Sequence, residues 1–185
     1  MSPDLLADLA ERVARIEARE DIRTLVARYG MAVDDRDVDL VGDLFTADGV
    51  FRHINNTYVC NGRQAIVEYY ANRIGAYGVS FHYPHSHIID FDGPTSATGL
   101  VTAHAELGVE RTTFVTALRY HDTYVVDRGA WKFKERAISM LYYMSLTDLM
   151  NGGLNETDRK RYFDDIGPAD YPESLPSWQA FANRR

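Results

Sequence analysis

The sequence predicts an α+β fold in which N-terminal helices pack on one face of a curved antiparallel sheet. Apolar residues recur at helical spacing through the first third of the chain, and from Ser80 onward β-branched and aromatic residues alternate with turn formers. The 185 residues suit a single domain with a sizeable core. Because helices precede the strands instead of alternating with them, a parallel βαβ sheet is not expected.

Amphipathic spacing predicts one or two helices at the start of the chain. The apolar residues that carry this pattern are Leu5, Leu9, Val13, Ile16, Ile22, Leu25, Tyr29 and Val33. The acidic run at 34–37 interrupts the pattern, and Leu40 to Phe45 resume it in a short second helix that ends near Asp48-Gly49. A third helix is predicted at Gly62–Ile74 and is closed by Gly75 and Gly78.

Four long strands follow, and a short earlier strand at Val50–Val59 is expected to join an edge of the sheet. The long strands are predicted at His82–Asp92, Ser96–Leu107, Thr112–Val126 and Trp131–Leu146. The hairpin turns between them are predicted at Asp92-Gly93-Pro94, Gly108-Val109-Glu110 and Asp127-Arg128-Gly129.

The chain is divided into a body of residues 1–150 and a C-terminal extension of residues 151–185. In the extension, Glu156–Phe163 is predicted as a short helix, and Pro168, Pro172 and Pro176 predict an extended path. The extension is expected to lie on the body or on a partner subunit.

Composition excludes several classes of function. The net charge of −7 disfavours a nucleic-acid-binding surface, and Cys60, as the single cysteine, excludes an intrachain disulfide or a cysteine metal cluster. No apolar block has the length of a signal peptide or membrane span, so a cytoplasmic protein without membrane contact is expected. Gly-rich phosphate-binding motifs and the G-x-S-x-G motif of serine hydrolases are not found.

Three histidines raise the question of a metal site. His85 and His87 would share one face of a regular strand, whereas His82 has the opposite parity. A catalytic zinc ion needs about three protein ligands, and no H-E-x-x-H element supplies the others, so no metal is predicted. The alternative for His85 and His87 is a surface or hydrogen-bonded strand position, and the alternative for Cys60 to a nucleophile is a packed small residue.

Tyr29 and Asp34 stand out near the end of the first helical segment. Five helical residues turn about 500°, so the two side chains do not share a helix face unless a concave cavity wraps around both. Two interpretations remain open: an ionisable site, or a surface carboxylate beside an aromatic core residue.

The order of motifs resembles the SnoaL-like branch of the nuclear transport factor 2-like superfamily over residues 15–146. The matching stretches are Tyr29 with 32–37, 44–50, 62–66, His82 before Asp92-Gly93, 120–124, and 129–133 leading to Arg136. This resemblance implies a cone-shaped fold in which a curved sheet and helices enclose an apolar pocket. Members include scytalone dehydratase, bile-acid 7α-dehydratase and hexachlorocyclohexane dehydrochlorinase, which work without a cofactor.

The resemblance also implies catalytic roles for four residues. Asp34 and His82 match the carboxylate and histidine of the central dyad, Tyr29 matches a catalytic tyrosine, and Arg136 matches a pocket arginine. Ala105 stands where the bile-acid enzyme has a second carboxylate. From the strand pattern alone, Arg136 is equally consistent with a rim residue in an ion pair.

The expected reaction is a cofactor-independent elimination of dehydratase type on a small polycyclic, steroid-like or polyketide-like substrate. Four residues are predicted to bind the substrate, although each is also consistent with core or interface packing: Tyr58, Phe81, Tyr142 and Met144. An isomerase or cyclase, or a non-catalytic ligand-binding module, is the alternative. An aromatic outer sheet face favours a homodimer or higher homo-oligomer.

Overall fold

The computed structural model describes residues 2–162 and 165–184. The helices are α1 (Pro3–Asp34), α2 (Val38–Asp43), α3 (Arg63–Gly75), α4 (Leu146–Met150) and α5 (Pro176–Ala182), with a 3₁₀ turn at Gly153–Asn155. The strands are β1 (Phe45–His53), β2 (Val59–Asn61), β3 (Ser80–Phe91), β4 (Ser96–Val109), β5 (Thr112–Asp127), β6 (Ala130–Ser145), β7 (Lys160–Tyr162) and β8 (Asp165–Gly167). The predicted α+β class is confirmed.

Helix α1 is a single helix of 32 residues. The Ser2 side chain caps its N-terminus and Pro3 occupies the first turn, where a missing N–H costs nothing. Its buried residues begin at Ile22, whereas the apolar residues of the first half, such as Val13 and Ile16, are exposed. The buried face of α1 that packs on the sheet therefore belongs to its second half.

Helix α2 is shorter than predicted. It ends at Asp43, and Phe45 already begins β1, because Phe45 is buried in the sheet and its strand lies beside β6. The predicted end of the helix near Asp48-Gly49 was therefore wrong. The predicted third helix corresponds to α3 within one residue at each end.

The sheet has the strand order β2-β1-β6-β5-β4-β3, with β7 and β8 added beside β6. Strands β3 to β6 form consecutive antiparallel hairpins, as predicted. Strands β1 and β6, however, pair in parallel, so the sheet is mixed. The two strands are separated in sequence by β2, α3 and the three strands β3 to β5, and a connection of that length permits a parallel pair.

The sheet is curved and unclosed. Its register shifts between Pro84 and His87, between Ala117 and Leu118, and between Thr123 and Tyr124. Such bulges bend a strand and increase its twist. Buried residues of α1, α2, α3 and the inner sheet face form one hydrophobic cluster, and the candidate site lies within this curved enclosure.

The C-terminal extension differs from the prediction at Glu156–Phe163. Lys160–Tyr162 is the strand β7, not a helix, because the exposed edge of β6 pairs with it and Tyr143 N–H donates to Arg159 O at 2.8 Å. Phe163 lies outside the described residues. Within the described parts of the chain, no helix is both long and apolar enough to cross a membrane.

Candidate active site

A cavity of about 580 Å³ lies between α1, α3, the inner sheet face and the C-terminal extension. Its volume is in the range of small-molecule sites. Eight of the lining residues are tyrosines, so the wall offers both aromatic faces and hydroxyl groups: Tyr29, Tyr58, Tyr69, Tyr70, Tyr77, Tyr120, Tyr143 and Tyr162. Such a wall suits a ring-shaped ligand with a few polar substituents.

The side chains of Asp34 and His82 meet at this cavity. His82 Nδ1 lies 2.6 Å from Asp34 Oδ1, and the His82 backbone N–H donates to Oδ2 at 2.7 Å. Ser80 Oγ also donates to Oδ1 at 3.1 Å. Three hydrogen bonds from β3 thus hold the carboxylate at the end of α1 and fix the imidazole relative to it.

This geometry determines the tautomer of His82. Because a carboxylate only accepts hydrogen bonds, Nδ1 carries the proton that it donates to Asp34, and Nε2 of the neutral ring holds a lone pair. Among the described residues, no hydrogen-bond partner is found for Nε2, and His82 lines the cavity. The arrangement places a free basic nitrogen beside the cavity and a carboxylate behind it.

Close approach of α1 and β3 makes this contact possible. Gly30 lies one turn before Asp34, and a β-carbon added there would sit 3.4 Å from His82 Cβ. A long side chain at position 30 would therefore displace the histidine. Asp34 is the last residue of α1, so its carboxylate reaches past the helix end to β3.

Tyr29 belongs to a buried cluster of phenols at the cavity wall. Its hydroxyl is hydrogen-bonded to that of Tyr70, and its ring packs edge-on against Tyr120. Burial raises the pKa of Tyr29, and the Arg136 cation and the Tyr70 hydrogen bond offset only part of that rise. Burial also raises the pKa of Tyr70 and Tyr120 well above 10. These phenols remain protonated and are hydrogen-bond donors.

The structure places Arg136 behind the cavity wall, not in the cavity. Its side chain is fully buried and forms two hydrogen bonds with Asp122, at 2.8 and 2.7 Å. The rings of Tyr29, Tyr120 and Phe133 lie 4.1 to 4.2 Å from its guanidinium carbon. Its cation is neutralised by Asp122 and covered by aromatic rings, so the structure gives Arg136 an ion pair and not a place in the cavity lining.

One of the four predicted substrate-binding residues lines the cavity. Tyr58 does so and stacks on Tyr69 with ring centroids 5.1 Å apart. Phe81 is 48% exposed, since it neighbours the inward-facing His82 and strand side chains alternate. Phe81 is therefore not among the residues that line this cavity.

Tyr142 and Met144, also predicted to bind the substrate, lie outside the cavity lining. The bulge between Ala117 and Leu118 inserts an extra residue in β6, so that Met140 and Tyr143 face inward. Tyr142 instead approaches His104 on the outer side, and Met144 is fully buried away from the lining.

His85 and His87 have separate partners. His85 Nε2 lies 2.8 Å from His104 Nδ1 on the exposed surface, whereas His87 Nε2 lies 3.0 Å from Tyr124 Oη. The bulge in β3 falls between Pro84 and His87. It interrupts the regular alternation of side chains that would place His85 and His87 on one face of the strand. Within residues 2–162 and 165–184, no three histidine, cysteine or acidic side chains converge on a potential metal site.

Sequence reasoning missed a second histidine at the cavity, His53, which is paired with the carboxylate of Asp170. His53 Nε2 lies 3.0 Å from Asp170 Oδ2, while Lys160 and Asn55 donate to Oδ1 at 2.9 and 3.2 Å. These four residues form what we call the Asp170 cluster. His53 Nδ1 accepts from the Asn55 N–H, so both ring nitrogens are occupied. The residues are up to 117 positions apart in sequence, and no local pattern connects them.

A sequence-family model described as a SnoaL-like domain matches residues 14–137. The chain belongs to the SnoaL-like domain family. The predicted resemblance is thus confirmed at the level of the family. Among curated proteins, the sequence comparison finds no match to this SnoaL-like chain.

Solved structures share its fold at low sequence identity. A provisionally assigned scytalone dehydratase from Novosphingobium aromaticivorans is 19% identical, with a TM-score of 0.72 over 88% of this chain and 99% of that one. The hexachlorocyclohexane dehydrochlorinase LinA-type3 from Novosphingobium barchaimii is 17% identical, with a TM-score of 0.67 over 73% and 94%. A nuclear transport factor 2-like protein with a cystatin-like fold from N. aromaticivorans is 26% identical, with a TM-score of 0.62 over 76% and 92%.

Proposed function

We propose that the protein is a cofactor-independent lyase that eliminates water from a small fused-ring substrate, with His82 as the general base. The observation that carries this proposal is the contact of 2.6 Å between His82 Nδ1 and Asp34 Oδ1 at a cavity of small-molecule size. The family match and the dehydratase and dehydrochlorinase names among the structural neighbours support the conversion of a small molecule.

In the proposed reaction, His82 Nε2 removes a proton from the carbon next to a carbonyl group. The C–H electron pair forms the new double bond as the bond to a β-hydroxyl breaks. The imidazolium returns its proton to the departing hydroxyl, so water leaves and His82 is regenerated. Asp34 stabilises the imidazolium and keeps Nε2 aimed at the substrate.

Tyr29 is proposed to donate a hydrogen bond to the carbonyl oxygen as negative charge develops there. Its raised pKa keeps the phenol protonated, and the surrounding rings exclude water that would weaken the interaction. Ala105 is paired with His82 in the sheet register and presents only a methyl group. Without a carboxylate at that position, one imidazole is assigned both proton transfers.

The experiment measures elimination from 4-hydroxy-2-tetralone, a fused-ring β-hydroxy ketone whose loss of water yields 2-naphthol. His82→Ala is expected to lower the enzymatic rate by about 100-fold or more, and Asp34→Asn by a similar factor. His85→Ala, which removes an exposed histidine from the same strand, is the matched control and retains the rate.

Each outcome separates the proposal from its alternatives. Equal rates for the wild type and His82→Ala would exclude the proposed base. A product with the mass of the substrate would indicate the isomerase alternative, because isomerisation keeps every atom. A ligand-binding module would be favoured if the protein binds 2-naphthol tightly but converts neither 4-hydroxy-2-tetralone nor a β,γ-unsaturated ketone, which is a substrate for an isomerase.

A further inference from the structure

Besides the proposed dyad, three basic side chains line the cavity, and they differ in their hydrogen-bond and ion-pair partners: His53, Lys160 and Arg73. The Lys160 ammonium group donates to Asp170 at 2.9 Å, and His53 is bound to the same carboxylate. Arg73 also lines the cavity, but among residues 2–162 and 165–184 no carboxylate lies within ion-pair distance of it. Arg73 therefore contributes a positive charge that the described surroundings do not neutralise.

Two aromatic rings hold Arg73 in place. Its guanidinium carbon lies 5.2 Å from the ring centre of Tyr77 and 5.5 Å from that of Tyr162. Ring contacts engage the face of a guanidinium group and leave its N–H donors at the edge. Arg73 follows Tyr69 and Tyr70 on α3 by about one helical turn, so it is presented on the same cavity side as these tyrosines.

We propose that Arg73 binds an anionic group, of the carboxylate class, on the ring-shaped substrate. The proposal deepens the proposed function and rests on it, because the reacting carbon would lie at His82 of the same cavity. A guanidinium group matches the planar geometry of a carboxylate through two parallel hydrogen bonds. The substrate class is thus a fused-ring or alicyclic ketone that also carries a carboxylate, and a neutral ketone would react at His82 without the contact to Arg73.

The distribution of acidic groups is compatible with an anionic ligand. Asp34 and Asp170 are each engaged by several donors, and Asp165 is an exposed residue at the edge of the lining. Because the ring contacts occupy the face of the guanidinium group, an anion can bind its N–H edge while Tyr77 and Tyr162 stay in place. A bound carboxylate adds charge-assisted hydrogen bonds, which are about twice as strong as neutral ones.

The test compares two probes that differ in charge but hardly in shape, naphthalene-2-carboxylate and naphthalene-2-carboxamide. Their dissociation constants are measured by isothermal titration calorimetry with the full chain. The wild type is expected to bind the carboxylate about tenfold or more tightly than the amide. Arg73→Gln removes this preference, while Arg63→Gln, which alters an exposed arginine on the same helix, retains it.

Two results would overturn the proposal. The first is equal affinity of the wild type for the two probes, which needs no variant and so does not depend on how Arg73→Gln folds. The second is an equal weakening of both probes by Arg73→Gln, which would show that Arg73 acts only by packing on Tyr77 and Tyr162. As a further check, Arg73→Lys keeps a positive charge without the planar donors and is expected to show an intermediate preference.

The outcome is separable from that of the proposed function. His82→Ala is expected to preserve the preference for the carboxylate, because the variant keeps Arg73. A charge preference without elimination activity would leave the Arg73 site intact and refute the lyase, whereas His82-dependent elimination without a charge preference would refute only the Arg73 site.

Discussion

The Asp170 cluster gives a quantitative prediction for the stability of the protein. Burial by itself raises the pKa of Asp170, but hydrogen bonds from His53, the Met140 backbone and Lys160 outweigh it and lower the pKa from 3.8 to about 2. A tenfold change in proton affinity corresponds to about 1.4 kcal/mol. The charged carboxylate therefore stabilises the folded state by about 2 kcal/mol at neutral pH.

The perturbation is Asp170→Asn, which preserves shape and removes the charge. A lowered folded-state pKa gives stability that is complete above the unfolded-state pKa and is lost as pH falls through the folded-state value. The free energy of unfolding of the wild type should therefore exceed that of Asp170→Asn by at least about 2 kcal/mol at pH 7. This difference should shrink steadily as pH falls from about 5 to about 2.

Urea unfolding of both proteins across this pH range measures the difference directly. Asp48→Asn is the control. The contact with Lys134 also lowers the pKa of Asp48, but the Asp48 side chain is 76% exposed, so solvent screens its charge. No measurable change in unfolding free energy is expected for the control. A difference between wild type and Asp170→Asn that does not vary with pH would refute the reasoning.

Two further predictions concern buried positions. Arg136→Met should lower the unfolding free energy by about 3 to 5 kcal/mol in urea titrations, because it leaves the Asp122 carboxylate buried without its partner. Adding Asp122→Leu should recover most of this loss, and a double variant no more stable than the single one would contradict the assignment. Gly99→Ala should lower the unfolding free energy by about 1 to 3 kcal/mol in the same assay, because the added β-carbon would lie 2.6 Å from the Tyr124 ring. Gly75→Ala should leave the unfolding free energy unchanged, because a β-carbon there meets no atom within 4 Å. Equal effects of the two glycine substitutions would contradict the packing argument.

The fold class could be predicted because local patterns determine it. Helical spacing, turn residues and strand texture each depend on neighbours in the sequence, and they located α3 and the hairpins of β3 to β6 within a few residues. The parallel pairing of β1 with β6 and the formation of β7 depend on edges that become available only in the folded sheet. Local sequence does not encode those edges.

The candidate site shows the same division. Asp34 and His82 are 48 residues apart, and the motif order of the family, not their spacing, indicated that they belong together. The abundance of aromatic residues suggested Tyr142 as a substrate-binding residue, but composition does not show which strand face a side chain occupies, and the bulge near Leu118 sets that direction in β6. Arg136 could not be distinguished from a rim residue because its burial depends on Asp122, a partner on the neighbouring strand.

Deuterium exchange at the carbon next to a ketone tests the central claim most directly, because it reports proton abstraction without requiring a leaving group. With 2-tetralone in deuterated buffer, followed by proton NMR, the wild type is expected to accelerate exchange, and His82→Ala and Asp34→Asn to lower that acceleration by about 100-fold. Asp35→Asn, which changes the adjacent exposed carboxylate, should exchange at the wild-type rate. Undiminished exchange by folded His82→Ala protein would contradict the account.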